Sequence, residues 1–448
     1  MKKLLFLLLG FTVTGGVLQA QLLKRLGDNL KNKMESKANE KINKGVDDVV
    51  DGNGKKKDKQ KKDDESGTAS SAENDGSEND SKPDNGKPNG KSAEFQVNSK
   101  YDFVQGEKVI ALEDFSQDAI GDYPAKWNTN GSGDLVNIND NKSKFLKLQK
   151  ESVFYPEFVK GLPDNFTVEF DLQSTPTFSF YSSYFAVGFT NVQNVGKSWK
   201  TFERFGNRKG DTKSNVEIGL HPTGPGVYNA LGMSYLKSCS NGEEVLSSES
   251  DQAAFQSSLK KTNVHVAIWR QKGRLRVYVN SLKVWDVPKA FETSIPINSM
   301  YFRVDNMNND NDAYFLSNIR VAVGAPDTRN KLMTEGKFVT TGILFDVNSD
   351  KIKPESNGVL KDIANVLTEN SDVKVEIIGH TDSDGDDTAN LALSKKRAES
   401  VKKILSTQFS IDAARMTTDG KGETQPAAPN TSTEGKANNR RVEFIKKQ

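Results

Sequence analysis

At 448 residues the chain is too long for one ordinary domain, and two or three folded units are expected. Only 35% of its residues are hydrophobic against 27% charged, and the mean hydropathy is −0.65, so a substantial part is expected to stay unfolded. A formal net charge of +2, with both signs interspersed, excludes the concentrated basic surface that a nucleic-acid partner needs.

Residues 1–20 read as a signal peptide, with Lys2 and Lys3 ahead of an apolar run from Leu4 to Phe11 and Leu18-Gln19-Ala20 as the cleavage site. The mature chain is expected to begin near Gln21. Lipid attachment there would need a cysteine, and the single cysteine, Cys239, lies far downstream, so the mature protein is expected to be unlipidated. One cysteine also excludes an internal disulfide. From 21 to 50, Leu22, Leu26, Leu30, Met34, Ala38, Ile42, Val46 and Val49 recur at helical spacing and predict a thin amphipathic helix. Residues 51–100 are dominated by Lys, Asp, Glu, Ser, Gly and Asn, which cannot bury enough surface to offset chain entropy. They read as a disordered linker with a root-mean-square reach of about 40 Å.

From 101 to 325, short runs of aromatic and β-branched residues alternate with polar ones, as in Phe166–Leu172, Val264–Trp269, Leu275–Val279 and Ile319–Val323. Many strands and few helical patterns predict an all-β sandwich. Its Val264–Pro288 stretch, with turns at Gly273 and Asn280-Ser281, resembles the laminin-G or concanavalin-like jelly roll. Such a sandwich can be a glycan hydrolase, which needs paired carboxylates. Glu169-Phe-Asp-Leu-Gln-Ser174 begins like the E-x-D-x-x-E signature of that clan, but Ser174 stands where the second glutamate belongs, so no proton donor is present and the protein is expected not to be an enzyme. Glu169 and Asp171 then read as exposed strand residues. Trp127, Trp199 and Trp269 are candidate stacking platforms for a glycan, with burial in the core as the alternative. The Asn-rich Asp305–Asp312 stretch lacks EF-hand spacing and reads as a solvated turn, and no metal or cofactor is expected.

The last segment, 334–448, changes character. A strand at Ile343–Val347, a helix opened by Pro354 with Leu360, Ile363, Ala364 and Leu367 on one face, a strand at Val373–Ile378, a helix near Thr388–Leu405 and a strand at Arg441–Ile445 predict a βαβαβ α/β domain. Asp382 follows a strand end and Arg397 lies in the next helix, so a strand–turn–helix return can bring carboxylate and guanidinium together at the surface. Between them a zwitterion fits, its ammonium on Asp382 and its carboxylate on Arg397.

This segment resembles the OmpA-like C-terminal domain of the peptidoglycan-associated family. The resemblance rests on Phe345-Asp-Val-Asn-Ser349, Ile352, Pro354, Gly379-His-Thr-Asp382, Gly385, Asn390, Leu393-Ser394, Arg397-Ala398, Gly420, Gly422, Pro426 and Asn439-Arg-Arg-Val-Glu443. It implies non-covalent binding of the peptidoglycan stem peptide at its diaminopimelate through Asn348, Asp382, Asn390, Arg397 and Arg440. Asp384, where the family often has a small polar residue, is left out of that set, and His380 is expected to order the turn. The whole is expected in the periplasm, tied to the outer membrane and the wall. An alternative is a wall-anchored adhesin whose sandwich binds a glycan or an envelope protein.

Overall fold

Side-chain alternation governs the middle of the chain. In the strand Asn165–Ser174, Phe166, Val168, Phe170 and Leu172 face one side and are fully buried, while Thr167, Glu169, Asp171 and Gln173 face the other. The computed structural model describes residues 101–139, 143–204, 212–225, 230–324 and 327–447; the expected signal peptide, amphipathic helix and linker lie outside the described residues. Strands Asn263–Gln271 and Tyr314–Val323 flank Asn165–Ser174 antiparallel, and Arg274–Val279 follows through a turn at Gly273. They belong to an eight-stranded sheet. A seven-stranded sheet, which includes Phe185–Thr190, Ser214–His221 and Ser299–Val304, lies against it. Phe170 meets Phe185 and Phe302 at centroid distances of 5.6 and 5.5 Å, so the two sheets share one apolar core. Two of the candidate platforms are occupied elsewhere: Trp127 packs in that core and Trp269 beneath the C-terminal domain, while Trp199 is half-buried.

In the C-terminal domain a mixed four-stranded sheet runs in the order Lys337–Thr340, Val442–Lys447, Lys374–Gly379, Met416–Gly420. Only the last pair is parallel. Helices Asn357–Glu369 and Asp387–Phe409 pack on it, the first burying Leu360, Ile363, Ala364 and Leu367 as its spacing predicts. Two features of the expected βαβαβ pattern need correction. Ile343–Val347 forms no strand: Asn348 sits at φ 54°, and the Asp346 N–H donates to Lys351 O while Lys353 N–H donates to Leu344 O, so the run folds back on itself as a loop. The edge strand is Lys337–Thr340 instead. Met416–Gly420 and the helix Thr433–Asn439 add a further strand–helix unit.

The β-sheet region and the C-terminal domain are packed together. Tyr101, Phe103 and Val104, expected at the start of the sandwich, are buried in the core of the C-terminal domain. Phe103 stands edge-on to Trp269 and Tyr278 at 6.1 and 5.6 Å, so this short segment joins the two units through aromatic contacts. A Cβ on Gly358 would lie 1.8 Å from the Phe103 carbonyl oxygen; glycine alone lets the segment run against the helix. Nearby, Asn438 donates to Val109 O at 2.9 Å and accepts from Val109 N–H at 3.0 Å, tying helix Thr433–Asn439 to strand Lys108–Glu113.

Candidate functional site

The strand Lys374–Gly379 ends in Gly379-His380-Thr381-Asp382, and the helix begins at Asp387 after its cap, Asp386, accepts from Ala389 N–H at 2.9 Å. Gly379 makes the close return possible, because a Cβ there would sit 2.1 Å from Ser394 O. The helix thereby lies directly on the strand end, and Arg397 is carried to the edge of the sheet.

Asp382 and Arg397 are near neighbours electrostatically but do not pair. The carboxylate of Asp382 is engaged by Arg440 Nη1. Arg397 donates through Nε to Ser349 O at 3.0 Å, and its guanidinium lies over the Phe345 ring at 4.8 Å. Its two terminal nitrogens have no hydrogen-bond partner among the described residues. Burial lowers the Arg397 pKa, the nearby Arg440 adds to this, and Asp382 and Asp350 oppose it. The expectation that both side chains lie on the surface is corrected: Asp382 is 7% exposed and Arg397 9%. The guanidinium of Arg397 lies over Phe345, and the loop after the strand folds over Asp382.

Asn390, also buried, spends its amide nitrogen on the loop, donating to Asp384 O at 3.0 Å and Glu423 Oε2 at 2.7 Å. It holds the Asp382–Asp384 turn in place. Asn348 is exposed at its left-handed turn, on the loop whose next residue, Ser349, accepts from Arg397. Asp384 carries its own cation, Lys436, at 2.6 Å. His380 is buried beside Glu443, its Nε2 3.5 Å from Oε1. Burial alone would raise the Glu443 carboxyl; the neighbouring His380, Lys337 and Arg441 outweigh it and hold the group well below the usual carboxylate range.

A cavity of about 270 Å³ opens beside Arg397 and Arg440. Part of its lining is foreign to the C-terminal domain: Glu169, Asp171, His265, Asn318 and Arg320 all come from the eight-stranded sheet. Glu169 is 2% exposed, so its reading as an exposed strand residue is corrected. It accepts from Gln105 at 2.7 Å, Arg320 at 3.2 Å and His265 at 3.3 Å, while Asp171 accepts from His265 Nδ1 at 2.8 Å. Burial would lower the His265 pKa, but the two carboxylates push it up to about 10. The imidazole is therefore a cation fixed between two anions. Beyond the Glu169-Phe-Asp171 spacing, the sequence signal for this group is positional: each member takes an outward place in an alternating strand.

Residues 344–440 match the sequence profile of the OmpA family, so the chain carries an OmpA family domain in its C-terminal part. "Probable lipoprotein YiaD" of Escherichia coli K12 is 45% identical over 102 residues, which are 23% of this chain and 46% of that protein. "Outer-membrane lipoprotein YfiB" of Pseudomonas aeruginosa is 36% identical over 107 residues, 24% of this chain and 63% of that one. The chain thus spans less than two thirds of either relative. Among solved structures, the peptidoglycan-associated lipoprotein of Burkholderia pseudomallei aligns with 27% of this chain and 98% of its own at 26% identity, with a TM-score of 0.23, too low to carry a fold argument.

Proposed function

We propose that the C-terminal domain binds peptidoglycan without covalent chemistry, through the diaminopimelate of the stem peptide, and so tethers a periplasmic protein of the outer-membrane side to the cell wall. The observation that carries this reading is Arg397: a largely buried side chain that lines a cavity and whose terminal nitrogens have no hydrogen-bond partner among the described residues. Such a group is costly to leave uncompensated, and a ligand carboxylate compensates it by a bidentate pair. Family membership of residues 344–440 and the outer-membrane lipoprotein among the relatives support the location. No helix among the described residues is long and apolar enough to cross a membrane.

In this reading Asn348, Asp382, Asn390, Arg397 and Arg440 have unequal parts. Arg397 takes the carboxylate, Asp382 and Arg440 form a pair beside it, Asn390 sets the loop, and Asn348 shapes the rim. The sheets are read as a concanavalin-like jelly roll that serves as a non-catalytic partner of the wall domain. The adhesin alternative has less support, because two of its three tryptophan platforms are buried.

Full-length protein pulled down on diaminopimelate-type sacculi tests the proposal. Arg397→Ala should lose about 2 to 5 kcal/mol of binding, and Arg397→Lys, which keeps the charge and loses the fork, should recover only part. Lysine-type sacculi, which lack the terminal carboxylate, should bind weakly. Wild-type retention by a folded Arg397→Ala protein, judged by circular dichroism, would withdraw the assignment.

A further inference from the structure

The cavity beside Arg397 has two walls from different parts of the chain. Phe345, Glu355, Arg397 and Arg440 form the wall on the side of the C-terminal domain; Asp171 and Asn318 stand on the other, on the outer face of the eight-stranded sheet. Charged groups of both signs, Lys353 among them, line the space between them. On the cationic side are the terminal nitrogens of Arg397. On the anionic side stands Asp171. Asp171 is held in a fixed orientation, His265 donating to one oxygen at 2.8 Å and Asn318 Nδ2 to the other at 2.6 Å, yet its side chain keeps 29% exposure. A carboxylate oxygen accepts more than one hydrogen bond, so this fixed group retains acceptor capacity toward the cavity.

We propose that the β-sheet region supplies the second wall of the ligand site: a zwitterionic peptide end lies between Arg397, which takes its carboxylate, and the Asp171 carboxylate, which accepts from its ammonium. This rests on the peptidoglycan reading above and adds Asp171 of the β-sheet region to the acceptors around the ammonium. The cavity is smaller than the roughly 300 to 1,000 Å³ typical of a drug-sized ligand pocket, so at about 270 Å³ it admits one amino-acid end and not a sugar–peptide unit. The packed sheet region then acts in selection. A peptide end that lacks either charge leaves one wall uncompensated, which is how a site rejects a near neighbour of its ligand.

The test uses the full chain and the soluble tripeptide L-Ala-γ-D-Glu-meso-diaminopimelate, with titration calorimetry for affinity and thermal melting for folding. Asp171→Asn should weaken binding about five- to thirtyfold. Asn318→Gly is a gentler variant, since Asn318 is exposed at φ 52° and glycine takes that backbone without strain; it should weaken binding several-fold with an unchanged melting temperature. If Arg397→Ala abolishes binding while Asp171→Asn and Asn318→Gly bind as wild type, the second wall is overturned and the wall-binding reading stands. If Arg397→Ala itself binds the tripeptide as wild type, the peptidoglycan reading falls and this inference falls with it.

Discussion

Each sheet of the middle region carries charge on its outer face, and the two faces are closed in different ways. On the seven-stranded sheet, Glu217 accepts from Tyr301 at 2.7 Å and from Tyr235 and Arg303 at 2.8 Å each, beneath Phe202 of the helix Trp199–Glu203. All of these partners belong to one unit. On the eight-stranded sheet, Glu169, Asp171, His265 and Arg320 are closed by a separate domain and border a cavity. Buried charge thus holds one region in shape, whereas in the other it also joins two domains and leaves acceptors available.

The sharpest way to break this comparison is Arg303→Leu. Stranding Glu217 in the first cluster should cost about 3 to 5 kcal/mol of stability, measured by urea unfolding, and should leave sacculus binding by the folded fraction unchanged. Glu169→Gln, at the domain contact, should cost less, about 1 to 3 kcal/mol, and should split a single calorimetric transition into two as the domains uncouple. The reverse ranking would mean that the domain contact, not the sheet face, is the stronger element. A third effect is pH dependence. His265 is raised from 6.5 to about 10, so its contribution is complete below about pH 6.5 and is lost as pH rises through about 10. For Glu169 and Asp171, burial is outweighed chiefly by hydrogen bonds from His265, and both are lowered from 4.5 and 3.8; their contribution is complete above those values and lost as pH falls. The melting-temperature advantage of wild type over His265→Gln should therefore be widest between about pH 4.5 and 6.5 and shrink toward pH 10. The smallest effect belongs to the exposed pair of Asp384 and Lys436: Asp384→Ala should shift stability by no more than about 1 kcal/mol, and tripeptide affinity should not follow it.

The strands around Phe166, Val264, Leu275 and Ile319 were legible because each alternates apolar and polar residues, and the helix around Leu360 because Leu360, Ile363, Ala364 and Leu367 recur on one face after Pro354. Met416-Thr-Thr-Asp-Gly420 was not, because its place beside Lys374–Gly379 comes from a parallel crossover and not from its own pattern. Asp382 and Arg397 stand out as ordered motif residues, but their lack of a mutual pair is invisible until Arg440 arrives from a helix end about sixty residues later. Least legible was the pairing of Glu169 with Arg320 and of Asp171 with His265. These are cross-strand neighbours fixed by sheet register, and an outward Glu in an alternating strand reads the same whether water or another domain covers it.

The passage of Tyr101–Val104 through the C-terminal core has a mechanical meaning. Any pull on the chain ahead of Tyr101 arrives first at Phe103, wedged between Gly358 of one domain and Trp269 and Tyr278 of the other, before it reaches the first sheet strand at Lys108. Were the C-terminal domain held on the wall as proposed, tension on the chain ahead of Tyr101 would meet this short aromatic brace before it reached the sheets.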